Sequence, residues 1–292
     1  MALGGGDQKG GRPDLSRINP VAIIKQAHDQ HGLKIIELPL DANYILSNVV
    51  TRPEHIRGMQ ALRDELGLEY TMHLPFFQLA LCSFNPHVRK ASIETQVETI
   101  KACEAIGGIN NYVLHLASEL EDSINSFNVE SHYKELAWGF FMQNGYESLE
   151  EIIARTGIDP KKVCVENNEG IPFTKMYDIL IEELGASICL DVGHMVLQGE
   201  ESPIEFMNRW KDRVHEIHLH NVQRKFLANR VRIHDDHHGL ESGVIDIPGF
   251  LAHLQKMAFS HPVLLEFMTQ KEIKESIAYL KEKQFLENCS HP

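Results

Sequence analysis

The chain has 292 residues, of which 43% are hydrophobic and 24% are charged, a balance typical of a globular protein with one large domain or two small ones. Its formal net charge of −13 disfavours a generic nucleic-acid-binding face, because an acidic surface repels phosphate backbones. No apolar run is long enough to span a membrane, and the first 16 residues lack the apolar core of a signal peptide. The five cysteines form no CxxC motif, so we expect reduced thiols and a cytoplasmic protein.

Short apolar runs alternate with segments of helical periodicity along most of the chain. Residues 1–16 are rich in glycine and are expected to form a flexible or vestigial segment, whereas 17–292 are expected to form a single domain. The predicted strands are 32–39, 69–75, 111–117, 162–168, 187–193, 214–220 and 262–268. The predicted helices are 20–30, 52–67, 86–106, part of the stretch that ends near 156, 172–184, 203–213, 248–258 and 270–284.

This alternation predicts an α/β fold with parallel strands and right-handed crossovers, and seven such strands indicate a (β/α)8 TIM barrel. An open doubly wound sheet is the alternative, but no GxGxxG motif follows a first strand. A complete barrel needs an eighth strand before the helix at 20–30, and only residues 1–3 precede the glycines. We therefore expect a shortened first strand, unless the natural chain starts further upstream.

The seven apolar runs share one feature: each ends in an ionisable residue of the kind that binds metals. Such a side chain is costly inside a buried strand, but at the carboxyl end it can point into a site above the sheet. The residues are Glu37, His73, His115, Glu166, Asp191 with His194, His218 and Glu266. Imidazoles and carboxylates together suit Zn, Mn, Fe or Co, so we expect a site for divalent metal ions.

Two further groups extend this ring of candidate ligands. His218 and His220 lie two residues apart in VHEIHLHN and therefore face the same side of a strand. Asp235 and His237 have the same spacing in the loop segment HDDHH. Each residue alone could be a histidine at the rim, a helix cap or part of a solvated loop. These interpretations would have to apply separately at all seven strand ends, so the pattern as a whole favours a metal site. Glu37 keeps three interpretations: support for a ligand histidine, a substrate contact or a rim salt bridge.

Several of these segments resemble the xylose isomerase-like barrel superfamily, which includes sugar isomerases and epimerases and apurinic endonucleases of the endonuclease-four type. The resemblance covers about 32–268 and depends on MHLP, LHLAS, VENNEG, CLDVGH, IHLHN, DDHHGLESG and LLEF. The endonuclease pattern implies up to three ions held by His73, His115, Glu166, Asp191, His194, His218, Asp235, His237 and Glu266. The isomerase pattern implies one ion held by Glu166, Asp191, His218 and Glu266. The resemblance implies an Asn-Asp pair shortly after the histidine that corresponds to His218, and His220-Asn221 stands there in this chain.

A basic segment follows the strand at 214–220, QRKFLANRVR, in an otherwise acidic chain. Guanidinium groups match phosphate oxygens in bidentate geometry, so this segment is a candidate clamp for an anionic substrate; the alternative is a solvated loop. The candidate substrate-binding residues are Arg224, Lys225, Arg230, Arg232 and His220.

Together these features predict a metal-dependent hydrolase that acts on a phosphate ester or sugar-phosphate linkage of a small molecule. Clustered divalent ions activate water and stabilise the entering and leaving oxygens. The alternative is a sugar or sugar-phosphate isomerase or epimerase, in which Glu166 and Glu266 would act as acid and base; both glutamates are the catalytic candidates. A non-catalytic metal-binding protein is the third reading. Helix-rich barrel exteriors often dimerise, so a homodimer is a further expectation.

Overall fold

The computed structural model describes residues 18–118, 124, 128–167, 180–199, 201–223 and 236–286. Within these residues, seven parallel strands form one sheet in the order β1 to β7, and β7 approaches β1 to give a nearly closed barrel. The strands β1 to β7 are Ile35–Pro39, Glu69–His73, Ile109–Leu114, Val163–Glu166, Ser187–Asp191, Val214–Leu219 and Val263–Leu265. This architecture confirms the predicted (β/α)8 TIM barrel.

Helices cover the outside of the sheet. In chain order, α1 to α9 are Pro20–His31, Asp41–Ile45, Pro53–Leu66, Pro86–Glu104, Ser131–Thr156, Val192–Gln198, Pro203–Trp210, Ile247–Lys256 and Gln270–Glu282. Helix α1 shows why these boundaries are readable from sequence. The Asn19 side chain accepts the backbone N–H of Ala22, Pro20 starts the first turn, and Gly32 ends the helix in a left-handed conformation (φ 71°). None of the described helices is long and apolar enough to cross a membrane.

One predicted strand ends earlier in the structure than the sequence indicated. The run predicted as a strand over 187–193 stops at Asp191, because the Asp191 side chain accepts the backbone N–H of His194 at 2.6 Å and starts α6 there. His194 therefore projects from a helix rather than from a loop. The predicted eighth strand and most of the helix predicted over 172–184 lie outside the described residues.

The barrel interior contains a polar layer below the carboxyl ends of the strands. Glu216 on β6 is fully buried and accepts hydrogen bonds from Thr71 Oγ1 at 2.8 Å and Asn111 Nδ2 at 2.7 Å. Burial raises the pKa of Glu216 to about 8, with a further contribution from Glu37, so this carboxyl is largely protonated at neutral pH. Three strands thereby support the floor of the site with neutral hydrogen bonds.

Two glycines of the long helix α5 provide a matched test of packing. A Cβ on Gly139 would meet no atom within 4 Å, whereas one on Gly145 would lie 2.8 Å from Leu116 Cδ2 and 3.1 Å from Cys82 Sγ. Gly139→Ala should raise the free energy of unfolding by about 1 kcal/mol through helix propensity. Gly145→Ala should be less stable than Gly139→Ala by about 1–3 kcal/mol because of overpacking. Urea denaturation measures both, and equal stability of the two variants would contradict the close packing of α5.

Candidate metal centre

Eight of the nine predicted metal ligands converge at the carboxyl end of the barrel. They are His73, His115, Glu166, Asp191, His194, His218, His237 and Glu266. Asp235 lies outside the described residues, as do Arg224, Lys225, Arg230 and Arg232. His220, predicted as a substrate contact, is fully buried within this cluster, where its Nε2 lies 3.0 Å from both carboxylate oxygens of Asp191.

Glu166, at the end of β4, lies at the centre of the cluster and is only 1% exposed. Its Oε2 lies 2.8 Å from His115 Nε2 and 3.3 Å from His73 Nε2. Its Oε1 faces the opposite side, 3.5 Å from His218 Nδ1 and 3.6 Å from His194 Nδ1. One carboxylate thus lies between His73 and His115 on one side and His194 and His218 on the other.

The outward-facing nitrogens of two histidines fix which nitrogen faces the centre. His73 Nδ1 lies 3.1 Å from the carbonyl oxygen of Leu74, and His218 Nε2 lies 3.2 Å from Glu37 Oε2. Each acceptor holds a proton on that nitrogen, so the opposite nitrogen is the one that can release its proton and direct a lone pair into the site. The structure therefore places Glu37 against a candidate ligand histidine, as in one of its three sequence-based interpretations.

A second donor group lies beside the first and consists of His194, His220, Asp236 and His237, whose donor atoms lie within 4.8 Å of one another. Asp236 was not among the predicted ligands, because two-residue alternation selected Asp235 and His237. His237 has a left-handed backbone (φ 53°), which breaks that alternation and lets adjacent side chains face the same site. The run of ionisable residues in HDDHH was the only sequence signal for Asp236.

Two glycines explain why the motifs around this group have their spacing. A Cβ on Gly193 would overlap the imidazole of His220, and a Cβ on Gly243 would overlap the side-chain amide of Asn221. Asn221 Oδ1 accepts the backbone N–H of Val222 at 2.9 Å and of Ile245 at 3.0 Å. Gly193 of CLDVGH thus makes room for His220, and Gly243 of GLESG makes room for Asn221.

Within the described residues, the site concentrates carboxyl groups that have no lysine or arginine as ion-pair partners. Six buried or half-buried carboxyl groups lie together: Glu37, Glu166, Asp191, Glu216, Asp236 and Glu266. Among the described residues, no lysine or arginine forms an ion pair with any of them; their ion-pair partners are histidines. Buried carboxylates need positive charge, so this end of the barrel favours cations.

The buried carboxylates also raise the pKa values of the histidines beside them. Burial lowers the pKa of His73, but Glu166 and Glu37 outweigh it and raise the value to about 9. Burial likewise lowers the pKa of His237, but Asp236 and Glu266 raise it to about 10. Burial raises the pKa of Glu166, yet His115 and His218 hold it well below its ordinary value. A field that holds protons on imidazoles also stabilises a divalent ion in their place.

Two orphaned atoms test whether these residues suit a metal. His218 Nδ1 and Glu266 Oε2 are buried and 3.0 Å apart, yet neither has a hydrogen-bond partner among the described residues. Both are metal-ligand atoms, and they belong to one four-donor group with Glu166 and Asp191. Buried polar atoms normally have partners, so a shared cation accounts for both. The donor chemistry therefore fits the divalent ion predicted from the sequence.

Residues 25–283 match the family model described as xylose isomerase-like TIM barrel, and the chain belongs to this family. Inosose dehydratase from Lacticaseibacillus casei is 34% identical over 209 residues, which cover 66% of this chain and 67% of that protein. The fold is similar to a D-tagatose 3-epimerase-like protein (TM-score 0.68, 19% identity, 91% of this chain and 94% of the other). It is also similar to endonuclease IV from Thermus thermophilus (TM-score 0.63, 18% identity, 90% and 94%).

The contact between Glu37 and His218 generates a prediction about metal affinity. Glu37→Gln should weaken metal binding about 10- to 100-fold, because the neutral amide no longer stabilises the Nε2 proton that directs Nδ1 into the site. Isothermal titration with Mn²⁺ measures the affinity. Glu69→Gln, at the opposite end of the neighbouring strand, is the matched control and should bind as the wild type does. Equal metal affinities of the two variants would show that Glu37 does not support metal binding through His218.

The close approach of Gly193 to His220 generates a second prediction. Gly193→Ala should displace the imidazole of His220 and reduce the metal retained by the purified protein, because the added methyl group and the ring occupy the same space. Gly239→Ala is the control, since its Cβ would have only ordinary contacts at 3.6 Å with Ser242 and Ser276. Elemental analysis of both variants measures the difference. A metal content of Gly193→Ala equal to that of the wild type would show that the position of the His220 imidazole does not affect metal binding.

Proposed function

We propose that the protein is a metal-dependent hydrolase of a phosphate ester or sugar-phosphate linkage in a small molecule. The observation that carries this proposal is the shared position of Glu166, with one oxygen toward His73 and His115 and the other toward His218. A bridging carboxylate between two donor sets is the arrangement that hydrolytic two-metal sites use. A one-metal isomerase has no need of the histidine pair on the Oε2 side.

Divalent ions held by these residues would lower the pKa of a bound water and neutralise charge on a phosphoryl group. The protein's own contribution is to orient the ligands and to accept the water proton. Glu266 is the best-placed acceptor, because its side chain is 29% exposed whereas that of Glu166 is 1% exposed. Burial raises the pKa of Glu266, but His218 and His237 hold it well below its ordinary value, so the carboxylate is ionised at neutral pH.

The proposed preference for a phosphorylated substrate rests on the basic segment after β6. Asn221 and His238 form an antiparallel bridge, with hydrogen bonds of 2.8 and 2.9 Å between their backbones. This bridge brings together Asn221 and His238, and the four basic residues between 224 and 232 lie between these two residues in the sequence. Their guanidinium and ammonium groups would supply the positive charge that a phosphate requires.

An isomerase or epimerase is the second candidate, supported by the similarity of the fold to a D-tagatose 3-epimerase-like protein. The four donors that one ion needs, Glu166, Asp191, His218 and Glu266, also lie together. In that reaction Glu166 and Glu266 would move protons on opposite sides of a bound sugar.

A single substitution separates these candidates. His115→Ala should lower phosphoesterase activity at least about 100-fold, because it removes a ligand from the shared side of Glu166. Activity is measured against a panel of small phosphoesters and, in parallel, sugars and sugar phosphates with Mn²⁺. His87→Ala, in an exposed position of α4, is the control. Retained activity of His115→Ala on a sugar substrate would refute the hydrolase and favour the one-metal isomerase.

A further inference from the structure

Five large apolar side chains are exposed together where α4 begins and along the first half of α5. This α4–α5 patch consists of Phe84, Val88, Tyr133, Leu136 and Phe140, which are 51, 40, 58, 59 and 54% exposed. Phe84 lies edge-on to Phe140, with ring centroids 6.2 Å apart, and Val88 follows Phe84 by one helical turn. The patch is therefore continuous from one helix to the other.

The first half of α5 is apolar on two opposite faces. The side chains that it buries in the hydrophobic core are Trp138, Phe141 and Met142. Its outward stripe, at intervals of three and four residues, is Tyr133, Leu136 and Phe140. Further along the same outward face the helix is polar, where Gln143 Nε2 donates to Glu147 Oε1 at 2.9 Å. A helix that is apolar on all sides is normally covered on all sides, so the outward stripe is a contact surface.

The area of the α4–α5 patch is close to what a stable dimer needs. A phenylalanine or tyrosine side chain presents about 200 Å², so the three half-exposed rings contribute about 300 Å² per copy. With Val88 and Leu136 the patch reaches about 400 Å², a size at which an exposed apolar area usually marks an interaction site. Two copies joined through it bury about 800 Å² from these side chains alone, and a specific interface needs roughly 1,000 Å² in total. The polar side chains at the edge of the patch supply the difference.

We infer that the α4–α5 patch is a homodimer interface in which α5 pairs antiparallel with α5 of a second copy. The outward stripe is nearly symmetric about the midpoint between 136 and 137, so a two-fold axis there places Tyr133 opposite Phe140 of the second copy. Phe84 contacts Phe140 and therefore lies beside the same Tyr133. None of the five side chains is charged, so the patch suits an identical apolar surface better than a highly charged partner. Each copy carries a formal charge of −13, so added salt should tighten the dimer by screening repulsion.

Analytical ultracentrifugation of the full-length protein measures the dimer directly. The wild type should be dimeric at about 10 μM. Leu136→Asp should raise the dissociation constant at least about 100-fold, because it places an unpaired carboxylate at the centre of the interface. Ile23→Asp is the matched control, since Ile23 is 43% exposed on α1, and it should dimerise as the wild type does. Circular dichroism checks that both variants are folded.

A second measurement does not depend on a disruptive variant. Because position 136 lies beside the two-fold axis, the new thiols of two Leu136→Cys copies should form an intermolecular disulfide on mild oxidation, whereas those of Ile23→Cys should not. A wild type that stays monomeric at about 100 μM would overturn the homodimer and leave a different protein as the occupant of the patch. A dimer that Leu136→Asp leaves intact, or equal cross-linking of the two cysteine variants, would overturn this interface. Neither outcome bears on the proposed hydrolase, because no residue of the patch is a candidate metal ligand or substrate contact.

Discussion

Negative charge buried at one end of the barrel is the constraint on which the rest of the site depends. The carboxylates come from strands far apart in sequence, yet parallel pairing brings their ends to one rim, with imidazoles as the only counterions described. Glu216 relieves part of this charge because burial keeps it largely protonated. The remaining acids account for the raised pKa values of His73 and His237 and for the electrostatic preference of the site for cations.

Backbone geometry then sorts these donors into two groups. Asp191 ends β5 by capping α6, and this abrupt start of a helix turns His194 toward the second group while Asp191 remains in the first. His220 contacts Asp191 through one ring nitrogen and Asp236 through the other, so it links the groups physically. The orientation of this one imidazole ring therefore depends on carboxylates of both groups.

The strand-end pattern predicted the fold and most of the centre, because period and position alone determine where a buried strand can end in an ionisable residue. His73, Glu166 and Glu266 were identified in this way. Asp236 was missed because its orientation depends on the left-handed backbone at His237, which no periodicity encodes. The sequence allowed Glu37 to support a ligand histidine, but it could not identify His218 as the partner, since the two residues are 181 positions apart and meet only when the barrel closes.

The backbone bridge between Asn221 and His238 has an evolutionary consequence. It holds Asn221 and His238 together, so the chain between these two residues can be lengthened, shortened or replaced without changing the strands of the barrel. The entropic cost of closing a loop grows only slowly with its length, so a longer loop destabilises the folded protein little. The chain between Asn221 and His238 can therefore change in sequence and length while the ionisable residues at the strand ends stay the same. These two parts of the protein can evolve independently.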